Sequence, residues 1–140
     1  MKNNYEWLDG YLLSKPGAAS EFKAEWGWLR YLVGGKQFAA VCTPGEAYKP
    51  HAGRTMVLLK CDPMLAELFR QQYADVAPGF YSDKRTWNSV YLDGVVPEET
   101  LRAMCDMSYE LVFAKLTKKA QREIKEKKKK ARLRARPVIW

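Results

Sequence analysis

The residues of this chain best suited to chemistry fall in two places. Lys84-Arg85-Thr86-Trp87-Asn88 puts two cations, a flat aromatic ring and an amide within five positions. Such a group can hold a phosphate while stacking on, or hydrogen-bonding to, a base or another planar ligand. The same residues have a structural reading, with Trp87 a core anchor at the start of a strand, Asn88 capping or bridging a turn, and the cations a solvated edge that discourages aggregation. The second place is the C-terminal segment. Lys127, Lys128, Lys129 and Lys130, followed by Arg132, Arg134 and Arg136, would attract a polyphosphate backbone by releasing its condensed counterions, without reading sequence. Its structural reading is a solvated extension.

Other reactive side chains assemble into no catalytic set. His51 stands beside Pro50 in a Gly/Pro-rich stretch with no nucleophile or acid paired to it in sequence, so a general-base role has little to rest on. Asp62 is best explained as a helix cap and Asp93 as part of a turn, while Lys60 is better suited to a surface ion pair than to a ligand. Tyr5, Trp7 and Tyr11, with Trp26, Trp28 and Tyr31, suit a core or hairpin packing better than a binding platform. Cys42, Cys61 and Cys105 lie about twenty or more residues apart with no histidine near them, a spacing that fits reduced, buried thiols and no metal site. No catalytic residue, metal or cofactor is expected.

The charge is distributed unevenly. Between Thr117 and Arg136 there are 11 basic and two acidic residues, whereas the whole chain has a formal charge of +8. The rest is therefore close to neutral, and any argument from basicity to nucleic acid concerns the C-terminal segment. With 47% hydrophobic residues among 140, one packed core is expected. The N-terminal residues have no apolar run of the signal type and no later stretch reaches the ~18 residues that span a bilayer, so a cytoplasmic protein without membrane association is expected.

Around these residues the pattern predicts a helix over Asn4 to Ser14, with Asn3 or Asn4 as cap, ended by Lys15-Pro16-Gly17. A short strand is predicted over Phe22 to Trp26, then a hairpin of Trp28 to Val33 with Lys36 to Cys42 around Gly34-Gly35. A loop from Thr43 to Gly53 leads to a strand over Thr55 to Lys60. Asp62-Pro63 opens a helix whose buried stripe is Leu65, Leu68 and Phe69. Pro78-Gly79 turns the chain into a strand over Trp87 to Leu92, and Pro97 opens a long helix with Leu101, Met104, Cys105, Ser108, Leu111, Val112 and Leu116 on one side. After Lys118 the stripe fades to Ala120, Ile124 and Leu133, so residues 118–140 are expected to form a helical or disordered basic tail on a body of residues 1–117 that folds without it.

Lys60-Cys61-Asp62-Pro63, Pro78-Gly79-Phe80-Tyr81, Lys84 to Asn88 leading to Leu92-Asp93-Gly94, and Ser108-Tyr109-Glu110-Leu111-Val112 with Ala114-Lys115-Leu116, in that order after Leu13 to Ala18, resemble the MmcQ/YjbR family. The resemblance covers residues 4–118. It implies an α+β domain in which an antiparallel sheet is packed by helices, similar to CyaY-like and secretion-chaperone-like folds and described as a double wing, and it implies DNA binding without supplying a catalytic set. The expectation is a non-enzymatic module that contacts DNA or RNA weakly and without sequence preference, through the tail with help from Lys84, Arg85, Trp87 and Asn88. The alternative is a small-ligand or protein-interaction module with a pocket built around Trp87. The oligomeric state is left open.

Overall fold

The computed structural model describes residues 6–135. The elements run α1 (Leu8–Leu13), β1 (Ala18–Lys23), β2 (Trp28–Val33), β3 (Lys36–Cys42), a short 3-10 turn (Glu46–Tyr48), β4 (Met56–Lys60), α2 (Pro63–Gln72), β5 (Val76–Pro78), β6 (Trp87–Tyr91), α3 (Glu98–Ala114) and α4 (Lys118–Ala135). All six strands form one antiparallel sheet in the order β1-β2-β3-β4-β6-β5. The fold is α+β, an antiparallel sheet packed by helices.

The sheet has two unlike faces, because alternate residues of each strand point to opposite sides. On one side Tyr31, Val33, Phe38, Val57, Leu59 and Val90 are sealed under α1 and α3 by Leu8, Leu12, Leu101, Met104, Cys105 and Val112. On the other, Trp28, Ala40, Cys42, Met56, Leu58, Phe80 and Tyr91 form a smaller cluster. Ser108 ties α3 to the sheet: its hydroxyl donates to the Phe38 carbonyl and accepts the Lys60 amide at 2.8 Å. Tyr109 donates to the Pro16 carbonyl and stands edge-on to Phe38.

Local signals explain several elements. Gly34 and Gly35, both at positive φ, make the β2–β3 turn; a Cβ on Gly34 would lie 2.7 Å from the Leu116 side chain, so the turn is also where α3 ends against the hairpin. Asp62 caps α2 by accepting from the amides of Met64 (3.0 Å) and Leu65 (3.3 Å), with Pro63 at the first helical position.

Four expectations change. The first strand runs over Ala18–Lys23 rather than Phe22 to Trp26: the amides of Trp26 and Gly27 bond back to the Lys23 carbonyl, and Gly27 at φ 68° completes a turn that leaves Trp26 in solvent. Helix α2 turns a different face inward, with Ala66 buried and Phe69 and Tyr73 packed on the core, while Leu65 and Leu68 are exposed. The polar contacts of Arg70 with β6 set that rotation. A short strand, Val76–Pro78, precedes the Pro78-Gly79 turn and pairs with β6. Finally, the segment after Leu116 takes the helical one of its two expected forms, through Ala135, but its start belongs to the body, because Ala120 and Ile124 pack against the main core. The Ile124 side chain fills the space beside Gly17, 3.1 Å from where a Cβ would sit. The proposed caps Asn3 and Asn4 lie outside the described residues.

Candidate functional site

Two regions gather the side chains with binding chemistry. The first begins at the α3–α4 junction. The Thr117 hydroxyl accepts the Ala120 amide at 3.1 Å and the Gln121 amide group donates to the Leu116 carbonyl at 2.9 Å, so α4 starts from a capped corner. Beyond Ile124 the Lys125 amine still lies 5.8 Å from the Phe113 ring centre, and every described side chain from Lys125 to Leu133 is exposed, including Lys127, Lys128, Lys129, Lys130 and Arg132. Arg134 belongs to its last turn, and Arg136 lies outside the described residues. From Lys125 to Ala135 there are seven basic residues and one acidic. Glu123 and Glu126 stand four residues before Lys127 and Lys130, the order that supports a helix, and cations near the C-terminus complement its dipole.

The body carries a second group of cations. Lys60, at the end of β4, pairs in register with Trp87. Burial first, and then the neighbouring Lys115, hold the Lys60 amine below its ordinary value, with Lys36 adding to the repulsion and Asp83 opposing it. The ion pair expected for Lys60 is replaced by a meeting of lysines from β3, β4 and the end of α3.

The Lys84 to Asn88 segment is held from several sides. Arg70 donates through Nε to the Asn88 side-chain oxygen at 2.7 Å and through Nη2 to the carbonyls of Lys84 and Trp87. Asn88 is fully buried and donates to the Ala66 carbonyl at 3.2 Å. Trp87 is half-buried against the smaller cluster. The Lys84 amine donates to the Gly79 carbonyl at 3.0 Å, and the Gly79 amide bonds the Trp87 carbonyl at 2.8 Å. Gly79 has no room for a side chain, since a Cβ would sit 2.7 Å from that of Trp87. Of Lys84, Arg85, Trp87 and Asn88, the two cations are exposed, and Lys84 is tied to Gly79 while Arg85 is loosely engaged, 3.9 Å from Asp83.

The second region was not assembled by reading the sequence as a site. A cavity of about 580 Å3 opens on the loop-covered face, lined by Trp26, Trp28, Tyr48, Phe80 and Tyr81, with Glu25 and the Cys42 to Gly45 stretch. The rings meet edge to face: Trp26 on Trp28 at 5.7 Å, Tyr48 on Phe80 at 5.3 Å and on Tyr81 at 5.4 Å. Trp26, Tyr48 and Tyr81 are exposed, and Tyr81 has φ 48°, a left-handed conformation unusual for an aromatic residue. Trp87 packs behind this cavity without lining it. Tyr31, grouped with Trp26 and Trp28 in sequence, belongs to the opposite face. The available signal was two tryptophans around a glycine and an aromatic doublet after Pro78-Gly79.

Neither region carries an activated nucleophile. Burial pushes the thiols of Cys42 and Cys61 up to about 11 and that of Cys105 to about 12, so all three are protonated and free at neutral pH. The His51 Nδ1 is hydrogen-bonded with the Tyr91 hydroxyl, and Arg54 covers the Tyr91 ring at 3.6 Å while pairing with Asp93 at 2.7 Å. These contacts fasten the loop after β3 to the end of β6. No cluster of three or more potential metal ligands occurs among the described residues, and no described helix is long and apolar enough to cross a membrane.

Comparison with known proteins addresses the whole fold. An Escherichia coli K12 protein, the uncharacterized protein YjbR, is 37% identical over 100 residues, 71% of this chain and 79% of that protein. The uncharacterized protein YbdF of Escherichia coli O157:H7 is 33% identical over 73 residues, covering 52% and 60%. The crystal structure of the Deinococcus radiodurans protein DR2400, with a DUF419 domain, superposes with a TM-score of 0.71 at 29% identity over 84% of each chain. A Pseudomonas syringae protein shares the fold at TM-score 0.66 and 18% identity, over 79% of this chain and 98% of that one. The YjbR family model matches residues 13–111, from the end of α1 through most of α3 and including each motif segment up to Leu111. This chain belongs to the YjbR family.

Proposed function

We propose that this protein is a non-enzymatic binding protein that holds DNA or RNA by the phosphate backbone, without strong sequence preference, through the exposed part of α4. The observation that carries the reading is the run from Lys125 to Ala135, a stretch of helix past the core contact of Ile124 with seven cations and one anion on it. Basic side chains that outnumber the acidic ones seven to one on an exposed stretch of helix gain most from a polyanion whose counterions they release. Lys36, Lys60 and Lys115 add a second group of cations on the body, and a phosphate among them would relieve their mutual repulsion. Arg85 adds a contact, and Lys84, Trp87 and Asn88 act by holding its segment in place. Three free thiols fit a cytoplasmic setting for such a protein.

The test is a titration of mixed-sequence DNA and RNA over a range of salt. With about six phosphates neutralised, log affinity falls against log salt with a slope of about −5. Replacing Lys127 to Lys130 with alanine, which keeps helix propensity, flattens the slope by about 3 to 4 units and weakens all sequences alike. Salt-insensitive binding sinks the reading. The small-ligand alternative rests on a separate observation, the aromatic cavity, which shares no residue with α4.

A further inference from the structure

We propose that the cavity on the loop-covered face is a recognition site for an organic cation, specifically a methylated ammonium group. Five aromatic rings from three separate segments converge on it: Trp26 and Trp28 around the β1–β2 turn, Tyr48 from the loop after β3, and Phe80 and Tyr81 after β5. The face of each ring carries negative potential, and several such faces around one volume attract a cation that has little hydration to lose. Glu25 is the sole Asp, Glu, Lys, Arg or His in the lining, and it has no ion pair among the described residues. A carboxylate at the rim of an aromatic enclosure adds attraction for a positive ligand and opposes a phosphate.

The chain already places a cation on one of these rings. The Lys23 amine lies 5.4 Å from the Trp26 ring centre. Two further features separate the cavity from an ordinary core edge. Trp26 and Tyr81 are 57% and 68% exposed, although burying either ring would be favourable, and Tyr81 is held at φ 48°, a left-handed conformation strained for a residue with a side chain. The Cys42 thiol, pushed up by burial, stays neutral and offers the cation no reaction. The volume exceeds that of a trimethylammonium head, so the group could arrive as a free small molecule or as the side chain of a methylated lysine in a peptide.

The experiment titrates the full-length protein, at constant ionic strength, with choline, with 3,3-dimethylbutanol as its uncharged isostere, with adenosine, and with a short peptide bearing trimethyllysine or unmodified lysine. Calorimetry and the indole N–H resonances of Trp26 and Trp28 report binding. Choline or the trimethyllysine peptide is expected to bind about tenfold or more tightly than its uncharged or unmethylated counterpart. A preference for choline identifies a small-molecule source and a preference for the peptide a protein source. Trp26→Ala, at an exposed ring, should weaken binding about tenfold, and Glu25→Gln about threefold, with melting temperatures unchanged. Equal binding of the isostere, binding of adenosine in place of the cation, or no binding of any cation overturns the proposal. None of these outcomes depends on α4, so nucleic-acid affinity stands or falls separately.

Discussion

The same strands build both faces of the sheet, but the faces are finished differently. Under α1 and α3 the side chains are nearly all sealed, and polar groups such as the Ser108 hydroxyl and the Tyr109 phenol are spent on cross-links between elements. Under the loops, the cluster around Trp28 and Phe80 is small, and its outer rings remain in solvent around an open cavity. Helices can cover a face continuously because they satisfy their own backbone, whereas loops must find partners for theirs and leave gaps. The first face holds the fold together and the second is where side chains can be altered at little cost to it.

That contrast is easiest to break with paired truncations. Phe38→Ala, at a fully buried ring, should cost about 3 to 5 kcal/mol and lower the melting temperature by roughly 10 °C or more. Trp26→Ala should change stability by less than about 1 kcal/mol. Comparable losses from the two in denaturant melts would show that the loop-covered face is as structural as the other.

Asn88→Ala comes next. It leaves Arg70 Nε and the Ala66 carbonyl without their partner in a buried place, at a cost of about 2 to 3 kcal/mol. Urea titration would measure this, and a neutral result would mean that Arg70 is free to find water. Helix α4 crosses from one regime to the other, so it offers a sharper pair. Ile124→Ala should destabilise by about 1 kcal/mol, while Leu133→Ala, exposed on the free part, should have no measurable effect on the cooperative melt.

Through their effect on stability, the thiols separate the two faces only in alkaline solution. All three have folded-state values raised by burial, so the unfolded chain loses these protons first as the solution becomes alkaline. Their contribution is complete below about pH 9 and is lost as pH rises from 9 toward 11 and 12, and Tyr91 and Tyr109 shift in the same direction. Melting temperature should decline over that range, less steeply in Cys105→Ala. At neutral pH a thiol reagent should reach Cys42, beside the open cavity, before Cys105 under α3; the reverse order would contradict the assignment of open and closed faces.

How much of this was readable in advance depended on distance along the chain. The Gly34-Gly35 hairpin and the Asp62-Pro63 helix start are local, and each was legible because backbone conformation and capping chemistry act within four residues. The rotation of α2 was not. Leu65 and Leu68 look like a buried stripe until Arg70 is seen to reach Asn88, 18 positions away, and a pattern of apolar spacing carries no record of such a partner. The family motifs were legible, and in the structure they are largely structural pins: Ser108 on Phe38 and Lys60, Tyr109 on Pro16, Gly79 against Trp87. For that reason they identify the fold well and function poorly. The cavity draws on residues 25 to 28, 42 to 48 and 80 to 81, and only the folded sheet brings those segments to one place.

The corner at Thr117 and the exposed run of α4 after Ile124 set a length scale for any complex with duplex DNA. From Lys125 to Ala135 the helix is about 16 Å long. Laid along a duplex, it would match the length of about five base pairs, which carry about ten phosphates on the two strands together. A globular chain of this size is roughly 35 Å across and occupies about ten base pairs of the same axis. If α4 binds as proposed, the body would cover about twice the length of DNA that the helix spans, and copies packed side by side along one track would leave about half of its phosphates open to other cations.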